Sequence, residues 1–125
     1  MVTRLATLVL WLLAAMTTLL GLRWVLEPRQ AAASLGMPLL DGLGRSTQIG
    51  ESGALFFGIA AMLLLGVQTG RESWLHAAAI FVALAALMRT LAWALHDAPL
   101  AGTLIGLELL LAVLILAACK LRAAG

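Results

Sequence analysis

Five residues carry most of the chemistry open to this chain: Arg45, Gln48, Glu51, Arg89 and Glu108. Arg89 lies late in one apolar run and Glu108 early in the next, and the two are symmetrical about the Asp97-Ala98-Pro99 turn between the runs. In an antiparallel hairpin this symmetry sets both side chains at one level, roughly 10 Å below the surface at about 1.5 Å of rise per residue. Glu51 enters its own run from the same side, and Arg45 stands at the threshold of that run. An isolated Arg or carboxylate at the centre of a spanning helix costs about 2.5–3.5 kcal/mol, so such groups face the bundle interior and take partners there. Arg89 with Glu108 is the first expected pair. Arg45 with Glu51 is a second, which needs the chain ahead of Thr47 to bend back. Gln48 shares a helix face with Glu51, and Thr90 adjoins Arg89, so both are placed to satisfy remaining donors and acceptors.

This cluster is open to two readings. One is a salt-bridge network that fixes which helices pair. The other is a site, and it rests on hydrogen-bonding capacity: two guanidinium groups bring about ten N–H donors, more than two carboxylates, Gln48 and Thr90 absorb. Bare donors would cost about 1–3 kcal/mol each. The site reading therefore expects a cavity open to the outer side, lined by Arg45 and Arg89. The arginines would hold an anionic or carbonyl group of an amphipathic ligand, a lipid headgroup or a quinone ring, and leucine walls would take its tail. A rival reading is a small oligomeric transporter with Glu51 or Glu108 as its coupling acid, against which stand only four spans and no broken helix pair. A third is a structural subunit of a larger membrane complex. An inward proton relay is disfavoured, because the next ionisable group, His76, is about 20 Å from Arg89 along the helix.

Other chemistry fails on placement. His76 and His96 stand at opposite ends of one run, so they cannot converge on a metal or haem within one chain. Cys119 is the only cysteine, which excludes a disulfide and a Cys-rich metal site and suits a small packing residue. No Ser-His-acid arrangement, phosphate-cradling glycine loop or H-E-x-x-H motif is present. Neither a cofactor nor a metal is expected, and a binding or accessory role is favoured over catalysis.

The elements that position these residues follow from composition. The chain has 125 residues, 63% apolar and 11% charged; soluble domains run at about 45–50% and about 25%. A water-soluble domain is thereby excluded. The net charge of +2 is scattered, with no basic patch for nucleic acid. One domain, residues 1–125, is expected. A bilayer core of about 30 Å takes about 20 apolar residues, which marks four spans: Leu5 to Leu26, Thr47 to Gln68, Trp74 to His96 and Leu100 to Leu121. The first is longer than a signal-peptide core and lacks a small-x-small cleavage site, so it is expected to be permanent. Between the first two spans, Pro28 suits a helix start, Gly36 its C-terminal cap, and Pro38 forbids continuation. A short helix over Pro28–Leu35 is predicted, lying in the membrane interface with Leu35, Met37, Leu39, Leu40 and Leu43 on an apolar side and roofing the cavity.

The fold class is thus all-α: a four-helix transmembrane bundle with a short interfacial helix between the first two spans. With both termini cytoplasmic, Arg4, Arg71, Lys120 and Arg122 lie inside against Arg23, Arg29 and Arg45 outside, a weak positive-inside majority. Trp24 and Trp93 then belong to the outer aromatic belt and Trp74 to the inner one. Gly50, Ala54 and Gly58, and likewise Gly102 and Gly106, repeat at the spacing that lets helices approach closely in lipid, for internal contacts or for a homo-oligomer seam.

Pro28, Leu35-Gly36-x-Pro38, Arg45 before a glycine-rich helix start, Arg71 opening the second hairpin, Arg89 and Glu108 together form a pattern covering nearly the whole chain. It resembles an uncharacterised family of small four-helix bacterial inner-membrane proteins, a domain of unknown function more distantly similar to the DoxX-like group. The resemblance implies a four-helix fold in the bacterial inner membrane. The redox and quinone-linked associations of the DoxX-like group do not carry over, since no cofactor residues are present to match.

Overall fold

A computed structural model describes all of residues 1–125. Five helices account for nearly all of it: α1 (Val2–Leu26), α2 (Pro28–Ser34), α3 (Gly42–Thr69), α4 (Glu72–Leu95) and α5 (Gly102–Ala124). α1, α3, α4 and α5 are long and apolar enough to cross a membrane. Helix is the form such sequences must take in lipid, where each backbone N–H and C=O needs a partner within its own segment. The four helices pack in a ring, α1 on α3, α3 on α4, α4 on α5 and α5 on α1, with α1–α3 and α4–α5 the closer pairs. Both termini and the Gly70-Arg71 turn lie at one end, and α2 and the α4–α5 turn at the other.

The connections show why the chain stops where it does. Glu27 ends α1, its N–H donating to the Arg23 carbonyl at 2.7 Å, and Pro28 at once starts α2. α2 closes on Gly36, whose φ of +79° needs no Cβ; Met37 N–H donates to Ala32 O and Gly36 N–H to Ala33 O, the paired bonds of a Schellman cap. Asp97, at a φ of +57°, turns the chain out of α4, a conformation Asp tolerates better than most residues. At the other end Gly70 caps α3, and one turn earlier Gly66 brings α3 close to α4: a Cβ there would meet Leu75 Cγ at 2.7 Å.

α3 begins earlier than composition suggests, at Gly42 rather than Thr47. Asp41 precedes it and accepts from the Arg45 guanidinium one turn on, at 2.9 Å, which holds a first turn that Gly42 and Gly44 weaken. At 28 residues α3 is about 42 Å long, well beyond a hydrocarbon core of about 30 Å. Its first turns therefore stand clear of the span and receive α2 and the following loop.

The core is biased toward the terminal end. It joins Leu10, Leu13 and Ala14 of α1, Leu63 of α3, Leu75 and Ala79 of α4, and Ile115 and Cys119 of α5, among others. A second, smaller cluster at the other end centres on Trp24, 1% exposed, against Ala31 and Ala32 of α2. Trp24 therefore faces inward, not to the outer belt, because α2 folds back over it; Trp93 does face outward. Only 24 of 125 residues are buried, and leucines of all four long helices lie exposed. In water such a surface would aggregate; facing lipid it is the appropriate exterior. Gly50, Gly58, Gly102 and Gly106 have open space where a Cβ would stand, so none of them is needed for a close helix approach within the bundle.

Candidate functional site

Arg89 and Glu108 meet across the α4–α5 hairpin as the turn symmetry requires, Arg89 Nε donating to Glu108 Oε1 at 2.7 Å. The side chains are 29% and 18% exposed. The pair is single-pronged, using one guanidinium donor and one carboxylate oxygen. Glu108 Oε2 is left buried with no hydrogen-bond partner, the only buried side-chain polar atom in the chain so placed. Thr90, beside Arg89, turns its hydroxyl to the Ala86 carbonyl of its own helix and adds nothing to the pair.

Glu108 also forms part of the wall of a cavity of about 390 Å³ between α1 and α5. It lies away from the main core, whose α1 and α5 members, Ala6 to Ala14 and Ala112 to Cys119, sit toward the termini. Leu13, Met16 and Leu20 of α1 face Leu104, Leu107 and Leu111 of α5, while Ala31 and Ser34 of α2 and Leu35 just after it close the end away from the termini and Phe56 of α3 the back. Of the 15 lining residues 12 are hydrophobic, and the three others are Arg23, Ser34 and Glu108. Ser34 already donates its hydroxyl to Ala31 O at 2.7 Å. Arg23 makes no ion pair and no side-chain hydrogen bond within the protein. The space therefore combines a carboxylate with one unpartnered oxygen, an unpaired cation and an apolar remainder in the size range of small-molecule pockets, about 300–1,000 Å³.

The expected cluster does not assemble as a whole. Arg45 pairs with Asp41 and donates from Nε to Leu40 O at 2.8 Å, not with Glu51. The reason is helical geometry: Asp41 is one turn from Arg45, whereas Glu51 is six residues on and points to another side of α3. Glu51 is exposed and has no ion-pair partner. Gln48 is buried, but its amide serves the chain: Oε1 accepts from Leu40 N–H at 2.7 Å and Nε2 donates to Pro38 O at 2.9 Å, tying the α2–α3 connection onto α3. A cavity under α2 is present, lined by Glu108 and not by Arg45 or Arg89. Arg23 takes the basic position there. Counted only as a flanking charge in sequence, it could be recognised by its neighbours: it stands one turn ahead of a proline-started helix, beside the Trp onto which that helix folds.

No family model, curated protein or solved structure matches the chain. Its description rests on its own residues, as a small multi-pass integral membrane protein with a polar pair and an apolar cavity at one end of a four-helix bundle.

Proposed function

We propose that the protein binds an amphipathic molecule in the α1–α5 cavity, with a polar head at Glu108 and Arg23 and an apolar tail between the leucines. The observation that carries this reading is Glu108, a residue of the cavity wall whose Oε2 is a buried acceptor without a donor. Such an orphan is rare in folded proteins. A ligand hydroxyl or ammonium would satisfy it, and Arg23 would take a phosphate or carbonyl oxygen of the same head. A quinol and a phospholipid share this chemistry. The resemblance to small inner-membrane proteins supports placing the chain in a bacterial inner membrane as a binding or accessory module.

The test is binding to the purified chain in detergent, followed by melting temperature and native mass spectrometry, with a short-chain quinol in one arm and a short-chain phosphatidylglycerol or phosphatidylethanolamine in the other. Arg23→Gln should weaken the bound class roughly ten- to a hundred-fold, the range for a hydrogen bond to a charged group, and leave the ligand-free melting temperature unchanged, since Arg23 has no partner in the fold. Leu104→Trp, one turn from Glu108 on the cavity wall, should abolish binding by filling the space. If neither arm binds, or both variants bind as well as the parent chain, the reading is wrong.

For orientation we infer that both termini face the cytoplasm. Arg4, Arg71, Lys120 and Arg122 gather at the terminal end of the bundle, and a majority of basic residues marks the cytoplasmic side. A reporter active only in the periplasm, fused after Gly125, should be silent; activity there would reverse the assignment.

A further inference from the structure

At the terminal end of the bundle, far from the cavity, three side chains of types that bind transition metals come together. Glu72 opens α4, His76 stands one turn further on the same face, and Cys119 reaches them from the last turns of α5. One ligand atom from each lies within 4.8 Å of the others. The histidine is already oriented. His76 Nδ1 is 3.0 Å from the Glu72 carbonyl oxygen, which can only accept, so in the neutral ring that binds a metal Nδ1 carries the proton and Nε2 keeps the lone pair. Metal-binding histidines are held in this manner, one nitrogen on a backbone carbonyl and the other free. A separate cavity of about 170 Å³ touches Glu72, Cys119, Thr3 and Arg122.

We propose that Glu72, His76 and Cys119 form a site for a divalent transition metal of the zinc class, with a fourth position open to this small cavity. The ligand set selects the metal: thiolate and imidazole favour zinc, cobalt and copper over magnesium or calcium. A tetrahedral site with bonds of about 2.0–2.3 Å needs ligand atoms about 3.5 Å apart, so atoms that lie within 4.8 Å of one another need close by no more than about 1.3 Å. Cys119 is fixed in the core, whereas Glu72 and His76 are exposed, and the Glu72 carboxylate makes no hydrogen bond or ion pair that would hold it back. On binding, the Cys119 thiol proton leaves to solvent and the sulfur–metal bond replaces it. Carboxylate and thiolate then balance the charge of the ion. Arg122, whose Nη2 donates to Val67 O at 3.3 Å, faces the same cavity and favours water or an anion as fourth ligand. The metal would pin the start of α4 to the end of α5, as Arg89 and Glu108 pin the hairpin's other end.

The purified full chain in detergent is titrated with Co(II). One cobalt per chain should bind, giving a thiolate-to-metal charge-transfer band in the near ultraviolet and the visible bands of a four-coordinate ion, all displaced by Zn(II). Cys119→Ser should lose the charge-transfer band. Glu72→Gln and His76→Gln, both at exposed positions that leave the fold intact, should each weaken binding by at least about tenfold, the lower bound already seen for groups that only support a ligand. Absence of the charge-transfer band in the parent chain would overturn the site. So would a band that persists with unchanged affinity in both exposed-residue variants, which would mean that the thiol binds cobalt alone. Neither result touches the reading of the outer cavity, which shares no residue with this cluster.

Discussion

Glu108→Gln is expected to destabilise the chain by about 2–3 kcal/mol, less than the about 3–5 kcal/mol for stranding a charge of a fully buried pair, because Arg89 keeps 29% of its side-chain surface exposed. The magnitude comes from Arg89 and not from the strength of the hydrogen bond. Polar contacts between spanning helices average only about 0.6 kcal/mol when measured by double-mutant cycles, whereas an unpaired Arg within a span costs about 2.5–3.5 kcal/mol or more. The 2.7 Å bond from Arg89 Nε is the only one its side chain makes in the protein, so nothing else in the fold compensates it. The double variant Arg89→Gln/Glu108→Gln should regain a good part of the loss. Unfolding of the four proteins in mixed micelles against denaturant closes the cycle. Strict additivity of the two single changes, or a Glu108→Gln midpoint equal to that of the parent, would show that the pair does not couple α4 to α5.

How much of this is legible in the sequence depends on whether a single element or a helix packing decides it. The spans are legible from apolar length, and α2 from Pro28 and Gly36, because each is a local property. Arg89 opposite Glu108 is legible because one short turn fixes the register of the whole hairpin. The same register sets His76 level with Cys119, so that meeting can be read from the same symmetry once Cys119 is treated as a ligand and not as filler. Arg45 is a different case. Charge alone offers it Glu51, and only the early start of α3 at Gly42 brings Asp41 one turn away and decides the matter. Gly42 and Gly44 hide that start, since both lower helix propensity. Arg23 and the cavity are the least legible, because they arise between α1 and α5, and no short connection links those two helices. Trp24 illustrates the same limit: its position suits an interfacial belt, and its burial is decided by α2 returning over it.

That return makes Trp24→Ala the second large expected effect. A seven-residue helix has no independent stability in water, where isolated helices shorter than about 12–15 residues are marginal. α2 is therefore held by what it packs on, chiefly the indole of Trp24 against Ala31 and Ala32, with Leu35, Met37 and Phe56 around it. Truncating a fully buried Trp costs about 3–5 kcal/mol. Because this cluster is separate from the main core, the loss should fall on α2 and its connection before it reaches the four long helices. Hydrogen exchange reads this directly. The amides of Ala31, Leu35, Gly36 and Met37, all bonded to carbonyls of the same segment, should exchange about a hundred-fold faster or more, since each 1.4 kcal/mol is about tenfold. Amides in the middle of α4 and α5 should hardly change. Trp24→Phe should lose less, because a ring still fills most of the site. Since Trp24, Ala31 and Leu35 also line the cavity, Trp24→Ala should weaken ligand binding alongside the loss of protection, tying the roof to the pocket beneath it. Unchanged exchange at Ala31–Met37 in Trp24→Ala would mean that α2 is held by the Gln48 amide and the loop, and that the indole only fills space.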